Sequence, residues 1–310
     1  MPLGLTGLVN LGNTCYINCV LQSLCHTKNF RKYILEYVGE DEILNLLKKV
    51  CIEIWKENQI ISPKTFVNKI KKINSKYNNV IQHDSSEFLS DLFDYIHENT
   101  GIKNEKKVKF VPNNKNIILA NEIWDKSVNN KSSVISSLFN GQFSKQRICQ
   151  GCDNISYFFD VFLYINIEAN DRSISNLIKN RFARDFIYKS CENCNPDNST
   201  DTEHQVLSYI YKLPEILIIY ISRFSDKNNK NNNKIILDKK LDLSDYSMEN
   251  ETEFKLKSVI CHTGNLNSGH YYNIIKNYGK WYLFNDHQVT LIDFETIQES
   301  SDSYILFYEK

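Results

Sequence analysis

Cys15 stands behind the run Asn10-Leu11-Gly12-Asn13-Thr14 and ahead of an apolar series at helical spacing. Thr14 can cap a helix whose first turn holds Cys15, where backbone N–H groups without intrahelical acceptors and the helix dipole favour thiolate over thiol. Gly12 lets the chain bend sharply into that helix. Asn10, five residues upstream, can turn its amide N–H towards an oxyanion formed beside Cys15. That chemistry is nucleophilic attack on an acyl carbon. The alternative is a buried structural thiol near an ordinary helix cap, and a base elsewhere in the chain decides between them.

The base is offered by the segment from Cys261 to Asp286, CHTGNLNSGHYYNIIKNYGKWYLFND. Two strand-like runs, one from His270 and one up to Asn285, flank a turn around Asn277 to Gly279, which sets His270 and Asn285 nearly opposite one another. Asn285 can then accept the Nδ1–H of the imidazole. A neutral orienter suffices when thiolate and imidazolium already form an ion pair. Asp286 competes for this place, although strict strand alternation points it to the opposite face. A structural hairpin histidine is the plainer alternative.

Two Cys-X-X-Cys pairs follow another chemistry. Cys149 with Cys152 and Cys191 with Cys194 suit a tetrahedral zinc ion closed by four thiolates. Four thiolates leave no open position, so the expected role is structural rather than catalytic, with a redox Cys-X-X-Cys as the lesser alternative. The long spacing between pairs predicts one pair at each of two hairpin tips.

The segment QHDSSEFLSDLFDYI, residues 82 to 96, has two readings. Asp84 and Glu87 resemble a capping box ahead of a helix that buries Phe88, Leu89, Leu92 and Phe93. Gln82, Asp84 and Glu87 can equally line a cleft that receives a basic extended peptide.

These groups need a scaffold with a helical part and a sheet part. Tyr16, Val20 and Leu24, then Ile43, Leu46, Leu47 and Val50, then Phe88, Leu92 and Ile96 recur at helical spacing. From about Ser133 the texture becomes short β-branched and aromatic runs between turn residues, which predicts a mostly antiparallel sheet assembly and an α+β chain with a cleft between lobes. SDKNNKNNNK, residues 225 to 234, is the low-complexity stretch and reads as an exposed mobile loop between two strands.

With 310 residues and 42% hydrophobic content, the chain can bury a substantial core. Basic and acidic residues both number 37, so no global field favours nucleic acid or an anionic membrane. The nine cysteines and the absence of a signal-like start predict a reducing compartment, cytoplasmic or nuclear. The apolar run ILIIYI is far shorter than the ~20 residues a membrane span requires.

Taken together, the motifs resemble the ubiquitin-specific protease family of deubiquitinases along essentially the whole chain. GLVNLGNTCYINCVLQSL is similar to its Cys box, QHDSSEFL to its Gln-Asp-Glu segment, CQGC and CENC to its finger zinc pairs, PEILIIYISRF to the strand before its blocking loop, and GHYYNIIK with WYLFND to its His box. The resemblance implies a papain-like cysteine protease of hand type: one catalytic domain over 1–310, a helical thumb over about 1–130, and a palm over about 131–310. Zinc-pinned fingers would lie near 143–160 and 185–210.

It also implies Cys15 as nucleophile, His270 as base, Asn285 as third member, Asn10 at the oxyanion and Asp286 assisting. Gln82 and Asp84 would hold the ubiquitin tail, and His262 and Tyr271 would narrow the channel around its Gly-Gly end. The expected reaction is hydrolysis of the isopeptide bond at ubiquitin's terminal glycine through a thioester. The expected partners are ubiquitin, ubiquitinated proteins and an activating protein, with no nucleic acid and no membrane. A catalytically weak ubiquitin-binding scaffold and a peptidase for another ubiquitin-like modifier are the competing functions. Two departures are local: Cys19 stands where serine is commoner, and KIILDKKLDL lacks a proline after the blocking loop. Because the Cys box begins within the first seven residues, no N-terminal accessory module is expected.

Overall fold

The computed structural model describes residues 3–79, 81–103, 114–194, 200–224, 230–247, 249–265 and 268–310. Helices α1 (Cys15–His26), α2 (Lys28–Glu36), α3 (Glu42–Lys56), α4 (Lys64–Ile73), α5 (Ser85–Thr100), α6 (Lys115–Ser127) and α7 (Val134–Leu138) precede most of the strands, and α8 (Ile174–Arg181) lies among them. Short strands β1 (Gly7–Leu8) and β2 (Ile60–Ile61) pair in parallel within the helical part.

Two sheets dominate the rest. Strands β3 (Gly141–Cys149), β4 (Ile155–Phe162), β5 (Ile165–Glu168), β6 (Asp185–Lys189), β7 (Thr202–Lys212) and β8 (Ile216–Ser222) are followed by β9 (Lys240–Asp242), β10 (Glu253–Gly264), β11 (Gly269–Asn277), β12 (Lys280–Asn285), β13 (Gln288–Ile292) and β14 (Ser303–Glu309). The larger sheet has the order β13-β12-β11-β10-β14-β8-β5, with β9 on β10. The smaller has the order β4-β3-β7-β6.

Strands β8 and β14 at the middle of the larger sheet are buried on both faces, which explains the unbroken apolar run in β8. Ile216 and Ile218 join the core beneath α1, α3 and α5, whereas Leu217, Ile219 and Ile221 join a second core with Ile174, Leu177 and Ile178 of α8. Each such side chain contributes about 1.5–3 kcal/mol on leaving water.

Helix α1 has no solvent face, since every residue from Cys15 to His26 is buried. Its polar residues Asn18, Gln22 and His26 fall at four-residue spacing and bind the preceding segment. The Gln22 amide donates to the Thr6 carbonyl at 2.8 Å, and a ring nitrogen of His26 lies 2.8 Å from the Gly4 carbonyl oxygen. On its sheet side, Asn273 donates to the Cys19 carbonyl at 3.1 Å and to the Ser23 hydroxyl at 2.9 Å. The helix that begins with Cys15 is thus fixed to the strand that begins near His270.

Residues 225–229 of the low-complexity stretch lie outside the described residues. The described part, 230–234, is pinned rather than loose. The buried Arg223 guanidinium donates to the carbonyls of Asn231 at 3.0 Å and Asn233 at 2.9 Å, and also to those of Ser300 and Ser303. A buried cation must satisfy its donors, and the neighbouring backbone supplies the acceptors.

Candidate active site

Cys15 opens α1 and is buried, only 1% exposed. Gly12 and Asn13 both have positive φ, 92° and 54°, which makes the sharp bend ahead of the helix. The expected Thr14 cap does not form. Thr14 occupies the N-cap position, but its hydroxyl accepts from the Leu11 N–H at 2.9 Å and donates to Asn10 Oδ1 at 3.3 Å, stabilising the loop instead of the helix. Asn10 Oδ1 also accepts from the backbone N–H groups of Gly12 and Thr14, each at 3.1 Å. With its oxygen held inside the loop, the Asn10 amide N–H2 faces outward and donates to Asp286 Oδ2 at 3.0 Å.

The hairpin of β11 and β12 turns at Tyr278-Gly279, both with positive φ, as a two-residue I′-type turn requires. Its ladder pairs Asn277 with Lys280 and Asn273 with Phe284. His270 and Asn285 are therefore diagonal rather than directly opposite, on the same face, and His270 Nε2 lies 2.6 Å from Asn285 Oδ1. The sequence reading assigned that contact to Nδ1; the structure uses Nε2, which leaves Nδ1 for the thiol. Cys15 is the first influence holding His270 up, from the ordinary 6.5 to about 9, opposed by burial and aided by Asn285 and Asp286.

Strand alternation fails for Asp286. The strand ends at Asn285, and Asp286 sits in a two-residue turn with φ 49°, so the rule that would aim it away no longer applies. Its carboxylate lies 3.8 Å from His270 Nε2, and Oδ1 accepts from Asn18 Nδ2 at 2.8 Å. The Asp286 carbonyl accepts from the Leu8 N–H at 2.8 Å, and Gly7 packs so closely that a Cβ there would meet the His287 carbonyl oxygen at 2.1 Å.

Gln82 reaches across to the start of β11. Its amide donates to the Gly269 carbonyl, and Gly269 N–H donates to Gln82 Oε1 at 2.8 Å. Gly269 has no alternative residue: a Cβ would sit 2.2 Å from His262 Nε2. His262 is buried, its pKa pushed down to about 4 by burial, and its ring lies 4.5 Å from that of Tyr271, with Phe224 and Tyr304 also against it.

Asp84 is the N-cap of α5, accepting from the Ser86 N–H at 2.6 Å and the Glu87 N–H at 3.4 Å. Its other oxygen accepts from the Tyr304 hydroxyl. The capping box is half formed, because the Glu87 carboxylate turns to Lys76 instead.

Cys149 and Cys152 flank the turn between β3 and β4, and Cys191 and Cys194 lie between β6 and β7. The four sulfurs lie within 4.8 Å of one another, with Cys149–Cys194 at 3.5 Å and Cys152–Cys191 at 3.7 Å. A tetrahedron with Zn–S bonds of about 2.3 Å has edges of about 3.8 Å, so this donor set fits a metal ion of that kind. Gly151 completes the knuckle, donating its N–H to Cys149 Sγ at 3.4 Å.

Asn18, Tyr304 and Gly269 were not singled out in the sequence. A signal for Asn18 was present: a polar stripe, Asn18-Gln22-His26, on a helix otherwise suited to the core.

The family model described as ubiquitin carboxyl-terminal hydrolase matches residues 6–308. Ubiquitin carboxyl-terminal hydrolase 2 of Homo sapiens is 26% identical over 337 residues, which cover 99% of this chain and 55% of that protein. Usp2 of Drosophila melanogaster is 27% identical over 332 residues, covering 99% and 35%. Ubiquitin carboxyl-terminal hydrolase 12 of Salmo salar is 29% identical over 340 residues, covering 98% and 89%. The chain thus spans about a third to a half of the first two relatives. Among solved structures, the SAGA Ubp8/Sgf11/Sus1/Sgf73 DUB module bound to ubiquitin aldehyde matches with a TM-score of 0.77 at 22% identity, over 99% of this chain and 69% of that one. At that identity the likeness speaks for the hand-type fold. Among the described residues, no helix is long and apolar enough to cross a membrane.

Proposed function

Because the chain belongs to the ubiquitin carboxyl-terminal hydrolase family, we propose that it is a cysteine deubiquitinase that cleaves the isopeptide bond at ubiquitin's terminal glycine. The observation that carries this reading is the His270 imidazole, paired with Asn285 at 2.6 Å on the diagonal of its hairpin, with Cys15 the first influence raising its pKa. In this reading the Cys15 thiolate attacks the glycine carbonyl carbon, and the oxyanion is met by the Cys15 N–H and an amide hydrogen of Asn10. His270 gives its proton to the departing lysine amine. A water then loses a proton to His270 and attacks the thioester, releasing the carboxyl group and restoring the thiolate–imidazolium pair.

The tail would enter past Gln82, whose bonds to Gly269 resemble those of an added strand and can be exchanged for the tail's backbone. Asp84 and Glu87 supply negative charge to a basic tail, Asp84 through space because both its oxygens are engaged. His262 and Tyr271 form an aromatic collar that suits a Gly-Gly end. The four thiolates would hold a structural zinc ion that ties the finger tips together and supplies no reactive group. We assign the whole of 1–310 to one catalytic domain, working in the cytoplasm or nucleus on ubiquitinated proteins, with an activating protein as a further partner.

Turnover of a fluorogenic ubiquitin C-terminal amide by the wild-type chain, lost in Cys15→Ala, supports this reading. Binding of ubiquitin without turnover would make the protein a scaffold. Faster turnover of another Gly-Gly-ended modifier would move its substrate class.

A further inference from the structure

We propose that Asn18 is a positioning residue for this reaction, holding the Asp286 carboxylate in register with the nucleophile. The inference rests on the deubiquitinase reading. Asn18 lies one turn after Cys15 on α1 and is 2% exposed. Its Nδ2 donates to Asp286 Oδ1 at 2.8 Å and lies 3.5 Å from the Leu8 carbonyl oxygen and 3.4 Å from that of Val9. The second Asp286 oxygen accepts from Asn10 and lies 3.8 Å from His270 Nε2.

One carboxylate therefore has one oxygen fixed to the helix of the nucleophile and the other shared between the oxyanion donor and the imidazole. Asp286 sits on a left-handed turn between two strands, and a carboxylate held there at one oxygen can rotate about its side-chain bonds. The Asn18 contact removes that rotation. It also ties the orientation of Asn10 to the same helix that carries Cys15, so that oxyanion donor and sulfur are placed by one rigid element.

The rest of the polar stripe differs. Gln22 and His26 bond backbone carbonyls, whereas Asn18 reaches a side-chain carboxylate within the site. Asn18 is also a costly choice for packing alone. Its Oδ1 is buried without a hydrogen-bond partner among the described residues, a penalty that an apolar side chain would avoid. A position that gives up stability while aiming its N–H into a reactive site fits a role in positioning.

The test uses the full chain and a fluorogenic ubiquitin amide. Asn18→Ala is expected to lower kcat roughly 10- to 100-fold with KM within about twofold of the parent. The double variant Asn18→Ala with Asp286→Ala should be no slower than Asp286→Ala alone, because Asn18 acts through that carboxylate. Asn18→Asp should be impaired at neutral pH and should recover towards about pH 5, where the introduced carboxyl takes up a proton and can donate to Asp286. Should Asn18→Ala fail to fold, the acid recovery of Asn18→Asp decides the matter. Losses that multiply in the double variant, an Asn18→Ala enzyme with parental kcat, or an Asn18→Asp profile parallel to the parent's would each overturn the inference. An inactive parent chain would instead remove the deubiquitinase reading, and this inference with it.

Discussion

Asn285 Oδ1 lies 2.6 Å from His270 Nε2 although the two residues are not ladder partners. The diagonal contact leaves room for the Asp286 carboxylate, 3.8 Å from the same nitrogen. Asn285 thus provides one acceptor, while Asp286 contacts Asn10 and Asn18 and adds charge beside the imidazole.

With Asp286 placed there, its loss is expected to cost more than that of Asn285, the opposite of the order that strand alternation gives. Asp286→Ala should lower kcat by roughly 10²- to 10³-fold, the scale of losing an oxyanion donor, whereas Asn285→Ala should lose about tenfold. Asn285→Asp should keep much of its activity, since a carboxylate accepts the same bond. Measuring kcat for the three variants, with thermal melts to confirm folding, checks the order. A larger loss from Asn285→Ala would restore it as the dominant partner.

The pH dependence follows from His270. Its pKa is raised from 6.5 to about 9, chiefly by Cys15, so the imidazolium should remain available as an acid until about pH 9. A raised pKa also means that the folded state binds its proton more tightly than the unfolded state. That contribution to stability is complete below pH 6.5 and is lost as pH rises through about 9. The alkaline limb of kcat/KM should therefore fall near pH 9, and in Asp286→Ala it should move to lower pH. A wild-type limb near 6.5 would show that the ion pair does not form.

Metal removal should act at a distance from the chemistry. Cys191→Ser or a strong chelator should strip zinc, lower the melting temperature of the finger region and weaken ubiquitin binding, while Cys15 still reacts with iodoacetamide. Native protein without bound zinc on elemental analysis would refute the structural-metal reading.

The entrance segment separates stability from binding. Asp84→Ala removes the α5 cap and the partner of Tyr304 and should cost about 1–2 kcal/mol, read as a melting temperature lower by a few degrees. Asp84→Asn keeps the cap and should melt near the parent temperature. Gln82→Ala should raise KM for ubiquitin substrates with little change in melting. An unchanged KM would confine Gln82 to tethering Gly269.

Much of this was legible from local pattern. The buried faces of α3 and α5 follow from apolar spacing, the four thiols from paired Cys-X-X-Cys, and the His270 hairpin from its turn residues. The illegible parts depend on tertiary contact. Asn18 meets Asp286 across 268 residues and Gln82 meets Gly269 across 187, separations at which no spacing rule operates. Asp286 was misplaced because alternation was continued one residue past the end of its strand. Thr14 was misread because its hydroxyl had two competing uses, and the loop held by Asn10 took it from the helix.

In the proposed mechanism Cys15, paired with His270, is the nucleophile towards the C-terminal glycine of ubiquitin. The most direct measurement is intact-mass and peptide-level analysis of the chain after reaction with a ubiquitin carrying an electrophile at its C-terminus. A single adduct is expected on Cys15, among nine cysteines, formed slowly in His270→Ala and absent in Cys15→Ala. No adduct, or an adduct on another cysteine that persists in Cys15→Ala, would contradict it.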